Sequence, residues 1–103
     1  MNVYYAGDPI QVHVELLKEG QPFVPDTGWT AKVALLNKDY TVAIADRTAD
    51  IDQPDDSNIT AVFTAAETAP LAKGIYYVRS RLEHTTEGPI TFRPEAIEIQ
   101  VVA

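Results

Sequence analysis

Apolar and polar residues alternate with a period of two through most of this chain, and no long segment carries the 3.6-residue period of a helix. In residues 10–16, Val12, Val14 and Leu16 share one face, while Gln11, His13 and Glu15 share the other. The same alternation sets Ala31, Val33 and Leu35 against Lys32, Ala34 and Leu36, and puts Val42 on one face with Ile44. It selects Ile59, Ala61 and Phe63 as an inward set and separates Tyr76, Val78, Ser80 and Leu82 from Tyr77, Arg79, Arg81 and Glu83. Ile97, Ile99 and Val101 close the pattern as inward residues, and the Arg and Glu residues of 77–83 read as a solvated face.

Gly, Pro, Asn and Asp punctuate these runs at 18–22, 25–28, 37–39 and 84–89, each a place where the chain can reverse. Segments 29–37 and 40–45, joined by a tight turn, are expected to pair as neighbours. A parallel α/β fold needs crossover connections of about a dozen residues, and these are missing. The expectation is an all-β, immunoglobulin-like antiparallel β-sandwich of about seven or eight strands, formed by residues 1–103 as a single domain.

Two segments interrupt the alternation. Residues 46–58 hold Asp46, Asp50, Asp52, Asp55 and Asp56 with a Pro and little apolar content, and read as one long exposed loop with only Arg47 to neutralise it. Hard carboxylate oxygens suit Ca²⁺, but the spacing lacks the Gly and closing Glu of a calcium-binding loop, so a bare acidic loop and no metal site is expected. Residues 65–72 look helical in composition yet contain Pro70. Thr64 as N-cap with Glu67 three residues later makes a capping box, so a single helical turn is expected, with Leu71 plugging the core and Gly74 allowing the reversal. Such a turn is a corner where a strand crosses between layers.

Composition narrows the function classes. A chain of 103 residues suffices for one core but not for a core plus a deep cleft. Fifteen acidic against eight basic residues give a net charge of −7, which repels phosphate backbones and argues against nucleic acid. Cysteine is absent, which removes disulfides and thiolate chemistry. His13, on an outward face, and His84, in a turn, have no recognisable catalytic partner, so neither enzymatic activity nor a cofactor is expected. No apolar run reaches the roughly 20 residues of a membrane helix, and the start of the chain does not read as a signal peptide. Synthesis in the cytoplasm without export, and no membrane partner, are the corresponding expectations.

Among the aromatics, Trp29 reads as core or rim, and Tyr40 and Tyr77 as sheet-face residues. Tyr4 and Tyr5 precede the first clear strand and are expected to form a partner interface, since tyrosine is enriched at such contacts. The order of parts then resembles a known group. Gly7-Asp8 before an alternating strand, the Lys18-Glu19-Gly20 turn, a strand entered near Thr30, and Phe63-Thr64-x-x-Glu67-Thr68-x-x-Leu71-x-x-Gly74-x-Tyr76 together resemble the small immunoglobulin-like domains of tailed-phage virion proteins, such as the N-terminal domains of baseplate upper proteins. The likeness spans nearly the whole chain, although the 46–58 segment is longer and more acidic than in that group.

The resemblance implies a non-enzymatic structural or assembly subunit of a virion, in tail, baseplate, neck or decoration. It would be made in the host cytoplasm, be present as a homo-oligomer or in many copies, and contact other virion structural proteins. The lack of a fibre or receptor-binding segment after Ala103 suggests a stand-alone subunit. A carbohydrate-binding or adhesion module on a virion or cell surface is the alternative, to be distinguished by exposed coplanar aromatics at a sheet face or loop end.

Overall fold

The alternating segments form strands in the computed structural model, which describes residues 2–23, 28–51, 58–84, 86 and 89–101. In chain order the elements are β1 Asn2–Tyr5, β2 Ile10–Glu15, β3 Leu17–Lys18, β4 Gln21–Pro22, β5 Trp29–Leu36, β6 Val42–Ile51, β7 Asn58–Phe63, α1 Ala65–Thr68, β8 Gly74–His84, β9 Ile90–Thr91 and β10 Glu95–Gln100. The fold is all-β, as expected. Its main sheet runs β1-β10-β8-β5-β6-β7-β2, with β9 added to β8 and a separate β3–β4 hairpin. Glu19 and Gly20, both at positive φ, make that hairpin's turn.

Hydrogen-bonded neighbours group β2, β7 and the end of β6 on one side and β5, β8 and β10 on the other. Two features depart from a pair of separate antiparallel sheets. The long β6 pairs with β5 through Val42–Ala49 and then with β7 through Asp50 and Ile51, so one hydrogen-bonded path joins both layers. A shift in the β5–β6 register, with Leu35 opposite Ile44 but Val33 opposite Arg47, marks an irregularity before that transfer. In addition, β1 runs parallel to β10, from Asn2 opposite Ile97 to Tyr5 opposite Gln100. The path therefore wraps most of the way round and leaves a seam between its end strands, β1 and β2.

The expected 46–58 loop is corrected by the same observation. Residues 46–51 continue β6 and Asn58 opens β7, so strand occupies both ends of the expected loop. Asp52, Asp55 and Asp56 lie outside the described residues. The strand continues because Ala49 and Ile51 turn inward and pack on the core, a benefit that the acidic composition concealed.

The core lies between the layers. Ile10, Leu16, Val33, Leu35, Ile59, Phe63, Leu82 and Ile99 are fully buried. A side chain of this size contributes roughly 1.5–3 kcal/mol on leaving water. Inward residues expected from β2, β5, β7, β8 and β10 are buried, but Val101 lies beyond β10 and is exposed, and Val42, at the start of β6, is exposed as well. Ala34 and Leu36, on the outward side of β5, are also buried, opposite Arg79 and Tyr77 of β8 in the register.

The corner forms as expected. Thr64 caps α1, its hydroxyl accepting from the Glu67 amide while the Glu67 carboxylate accepts from the Thr64 amide at 2.9 Å. Beyond it Leu71 is half-buried against the core rather than a fully buried plug, and Tyr76 is buried near the start of β8. The Tyr76 hydroxyl donates to the Ala72 carbonyl at 2.8 Å, a tyrosine corner in which a strand-start hydroxyl bonds backbone a few residues upstream.

Candidate functional site

The N-terminal residues do not form an arm outside the sheet. As β1 they extend the path beyond β10, and the amide of Ala6 continues the pairing with the Gln100 carbonyl at 2.8 Å. Alternation along β1 divides the two tyrosines: Tyr4 packs half-buried against the core, whereas Tyr5 is exposed together with Val3. Val3 and Tyr5 lie on the outer face of an end strand. The sequence does not distinguish Tyr4 from Tyr5, because a four-residue segment carries no sign of which strand it will join.

Across the seam, β2 pairs only with β7 among the described residues. Two hollows open along its other side. One, of about 220 Å³, is bordered by Asn2 and Tyr4 of β1, Val12 and His13 of β2, and the Glu95–Ile97 part of β10. The second, of about 400 Å³, lies between Val14, Glu15 and Leu17 on one wall and Phe92 to Ala96 on the other. They arise because β1 covers β10 only from Ile97 onward, leaving the edge at Glu95 and Ala96 without a neighbour of its own on that side among the described residues.

The crossing from β1 to β2 is fixed by the corner. Gly7, at φ +91, reverses the chain. Its amide donates to the Thr68 hydroxyl at 3.0 Å, and that hydroxyl donates to the Asp8 carbonyl at 2.8 Å. Thr68 is completely buried, so these bonds satisfy a polar group that would otherwise be costly to bury. The Gly7-Asp8 pair and the Glu67-Thr68 pair, widely separated in the chain, thus belong to one junction.

Arg47 and Glu67 hold the same corner from β6. The guanidinium pairs with both carboxylate oxygens of Glu67, donates to the Val62 carbonyl at 3.1 Å, and lies 4.7 Å from the Phe63 ring centre. The Arg47 guanidinium, together with the hydrogen bond that the Thr64 amide donates to the Glu67 carboxylate, holds Glu67 at a pKa of about 2, below the usual 4.5. Arg47 therefore does not neutralise an acidic loop as expected.

Asp46, in turn, is neutralised by arginines expected to be merely solvated. Arg79 Nη2 lies 3.2 Å from both Asp46 oxygens, Arg81 Nη2 lies 3.2 Å from one of them, and Arg81 also pairs with Glu83 at 2.8 Å. Asp46 and Asp50 thus sit on β6. Among the described residues no group of three or more His, Cys, Asp or Glu is placed to hold a metal ion.

The histidines have structural neighbours. His13 is exposed on β2, its Nδ1 3.0 Å from the Thr60 hydroxyl. His84 ends β8 rather than lying in a turn, packs on Trp29 with ring centres 4.9 Å apart, and accepts from the Thr86 amide. Trp29 is a half-buried rim residue that also meets Phe23 edge-on at 5.6 Å.

At the far end of β5 the chain turns through Asn37–Thr41. Tyr40 takes a left-handed conformation there, φ +66, and stacks on Tyr77 with ring centres 4.8 Å apart and planes 27° apart. A hollow of about 560 Å³ opens between Asn37, Lys38, Asp39 and Thr41 of the turn and the segment from Lys73 to Tyr76, and neither Tyr40 nor Tyr77 lines it. Comparison with family models, with curated proteins and with solved structures finds no match to the chain.

Proposed function

We propose that this chain is a structural or assembly subunit of a tailed-phage particle, acting through protein–protein contacts with other virion proteins or further copies of itself. The observation that carries the reading is the open seam. Two end strands, β1 and β2, face each other without pairing among the described residues, and Val3 and Tyr5 stand exposed on the first of them. Strand edges of this kind accept an added strand from a partner, with backbone hydrogen bonds supplying affinity and alternate side chains supplying register.

The link to phage proteins rests on the order of parts described from the sequence. Its two most distinctive pieces, Gly7-Asp8 and Glu67-Thr68, meet in one hydrogen-bonded junction, which gives that order a physical reason. A module of this kind joins parts by presenting a fixed edge on a rigid core and needs no reacting group.

Labelled protein located by electron microscopy on the parent particle tests the assignment, and its absence from purified particles would overturn it. The edge is tested separately with Val3→Lys and Tyr5→Lys, since edge lysines oppose strand addition. Both variants should fold with nearly unchanged thermal stability and fail to incorporate. Incorporation at wild-type occupancy would remove β1 as the contact. These substitutions are preferable to deleting residues 1–6, which would also strip Tyr4 from the core.

A further inference from the structure

The register of the main sheet gathers exposed apolar side chains and cations on one outward face. Leu36 of β5 lies opposite both Val42 of β6 and Tyr77 of β8, Ala34 lies opposite Arg79, and Lys32 lies opposite Arg81. Residues directly opposite one another share a face, and alternation along β8 keeps Tyr77, Arg79 and Arg81 together. Asp46, paired with both arginines, stands there too. Phe92 is buried, so the next residue, Arg93, turns outward and is exposed. Tyr40 stacks on Tyr77 yet stays 59% exposed, in a left-handed conformation that Asn or Gly would adopt at less cost. Tyr77 raises the pKa of the Tyr40 hydroxyl and the Arg93 charge lowers it, which sets Arg93 near the stacked pair. Val42, 54% exposed, completes the apolar part of the face.

Charge divides the molecule into unlike sides. Four of its eight Lys and Arg residues, Lys32, Arg79, Arg81 and Arg93, stand on this face. Asp46 and Glu83 pair with Arg79 and Arg81, and Glu98 lies farther out on β10, opposite Ile75. Lys32 and Arg93 form no ion pair among the described residues. The other layer turns a different set outward. Gln11, His13 and Glu15 of β2 lie opposite Val62, Thr60 and Asn58 of β7, and Asp50 at the end of β6 lies opposite Thr60. Neither β2 nor β7 contains Lys or Arg, Glu15 and Asp50 form no ion pair among the described residues, and Val62 is exposed.

We infer that the outward face of β5, β6 and β8 binds the outward face of β2 and β7 on a second copy of this chain, so that copies stack head to tail. Tyrosine and arginine are the anchors that most often carry interface affinity, and Tyr40 and Val42 offer Val62 an apolar surface to meet. Charge sets the orientation. Like faces would bring the free Lys32 and Arg93 of both copies together, whereas unlike faces give them the carboxylates of Glu15 and Asp50. The two faces lie on opposite sides of one molecule, so the contact is heterologous and every pair keeps a free face at each end. It uses neither the β1 edge nor another virion protein, and therefore stands or falls apart from the reading above.

Sedimentation velocity of the intact protein at low salt, from about 10 μM to about 1 mM, tests the stacking. The mean mass should grow past two copies with concentration and fall again in about 0.5 M salt. Tyr40→Asn with Lys32→Gln and Arg93→Gln removes one face, and Asn suits the left-handed position, which favours folding. Glu15→Gln with Asp50→Asn and Val62→Thr removes the other. Each variant alone should associate at least about 10-fold more weakly than the wild type. An equimolar mixture should form one-to-one pairs and stop there, since each partner keeps one working face. Thermal melts establish that the variants are folded, and Lys32→Gln with Arg93→Gln alone serves if the triple variant melts early. A wild type that stays monomeric or stops at two copies, a folded variant that assembles like the wild type, or a mixture that forms no pairs would overturn the inference. Assembly indifferent to salt would overturn the charge complementarity on which it rests.

Discussion

The buried hydroxyl of Thr68 accepts a hydrogen bond from the amide of Gly7 at 3.0 Å, across 61 positions of sequence. It thereby ties the helical corner to the reversal between β1 and β2, and its own proton goes to the Asp8 carbonyl. Thr68→Val keeps the shape and removes both bonds, leaving polar groups of 7 and 8 without their partner. The expected loss is about 1–3 kcal/mol in chemical denaturation, with Thr68→Ser closer to the wild type. A valine variant as stable as the wild type would show the junction to be unimportant.

The corner's second anchor depends on pH. Glu67 titrates at about 2 in the folded protein against an ordinary 4.5, so the stabilisation from Arg47 and the Thr64 cap is complete above pH 4.5. It is lost as pH falls from 4.5 to about 2. Glu67→Gln can retain the capping box while losing the charge. At neutral pH this variant should be less stable by about 1 kcal/mol, allowing for the partial exposure of the pair, and the gap should close near pH 2. A gap that persists unchanged in acid would rule out the ion pair as its source.

At the tyrosine corner, the hydroxyl and the ring make separable contributions. Tyr76→Phe removes only the bond to Ala72 and should cost about 1 kcal/mol, whereas Tyr76→Ala empties a core position and should cost about 3–5 kcal/mol. Leu71→Ala should cost less than a fully buried leucine, about 1–2 kcal/mol, because Leu71 is half-buried. Denaturant midpoints for the three variants should follow that order.

Gly28 provides a steric test at the other end of the molecule. It sits at φ +99, and an added Cβ would lie 2.7 Å from Nε2 of His84. Gly20, at φ +78, has open space around the same position. Gly20→Ala should therefore show only the backbone penalty, about 1 kcal/mol, and Gly28→Ala should exceed it as His84 is displaced from Trp29. Thermal melts of the pair, with tryptophan fluorescence reporting on Trp29, distinguish the two effects.

Asp46 carries the outward charge network. Asp46→Ala leaves Arg79 and Arg81 beside each other without their shared carboxylate and should destabilise the protein by about 1 kcal/mol, with the effect shrinking in high salt. Insensitivity to salt would mean that charge is not what Asp46 contributes here.

Local chemistry determined much of this protein in advance. Period-two alternation marks Val12, Val33, Phe63, Val78 and Ile99 as inward, because a strand turns successive side chains to opposite faces whatever its neighbour. Thr64 and Glu67 announce the corner for the same reason: a capping box closes within four residues. Tertiary structure decided what depends on partners far along the chain. Residues 46–51 continue as strand because β5 and β7 offer edges to pair with and a core for Ala49 and Ile51. Residues 2–5 join β10 in parallel, which separates Tyr4 from Tyr5 in environment, and Asp46 meets arginines more than thirty positions away. An edge or a charge has no intrinsic partner in sequence; packing supplies one, and with it the open seam and the loop-end hollow.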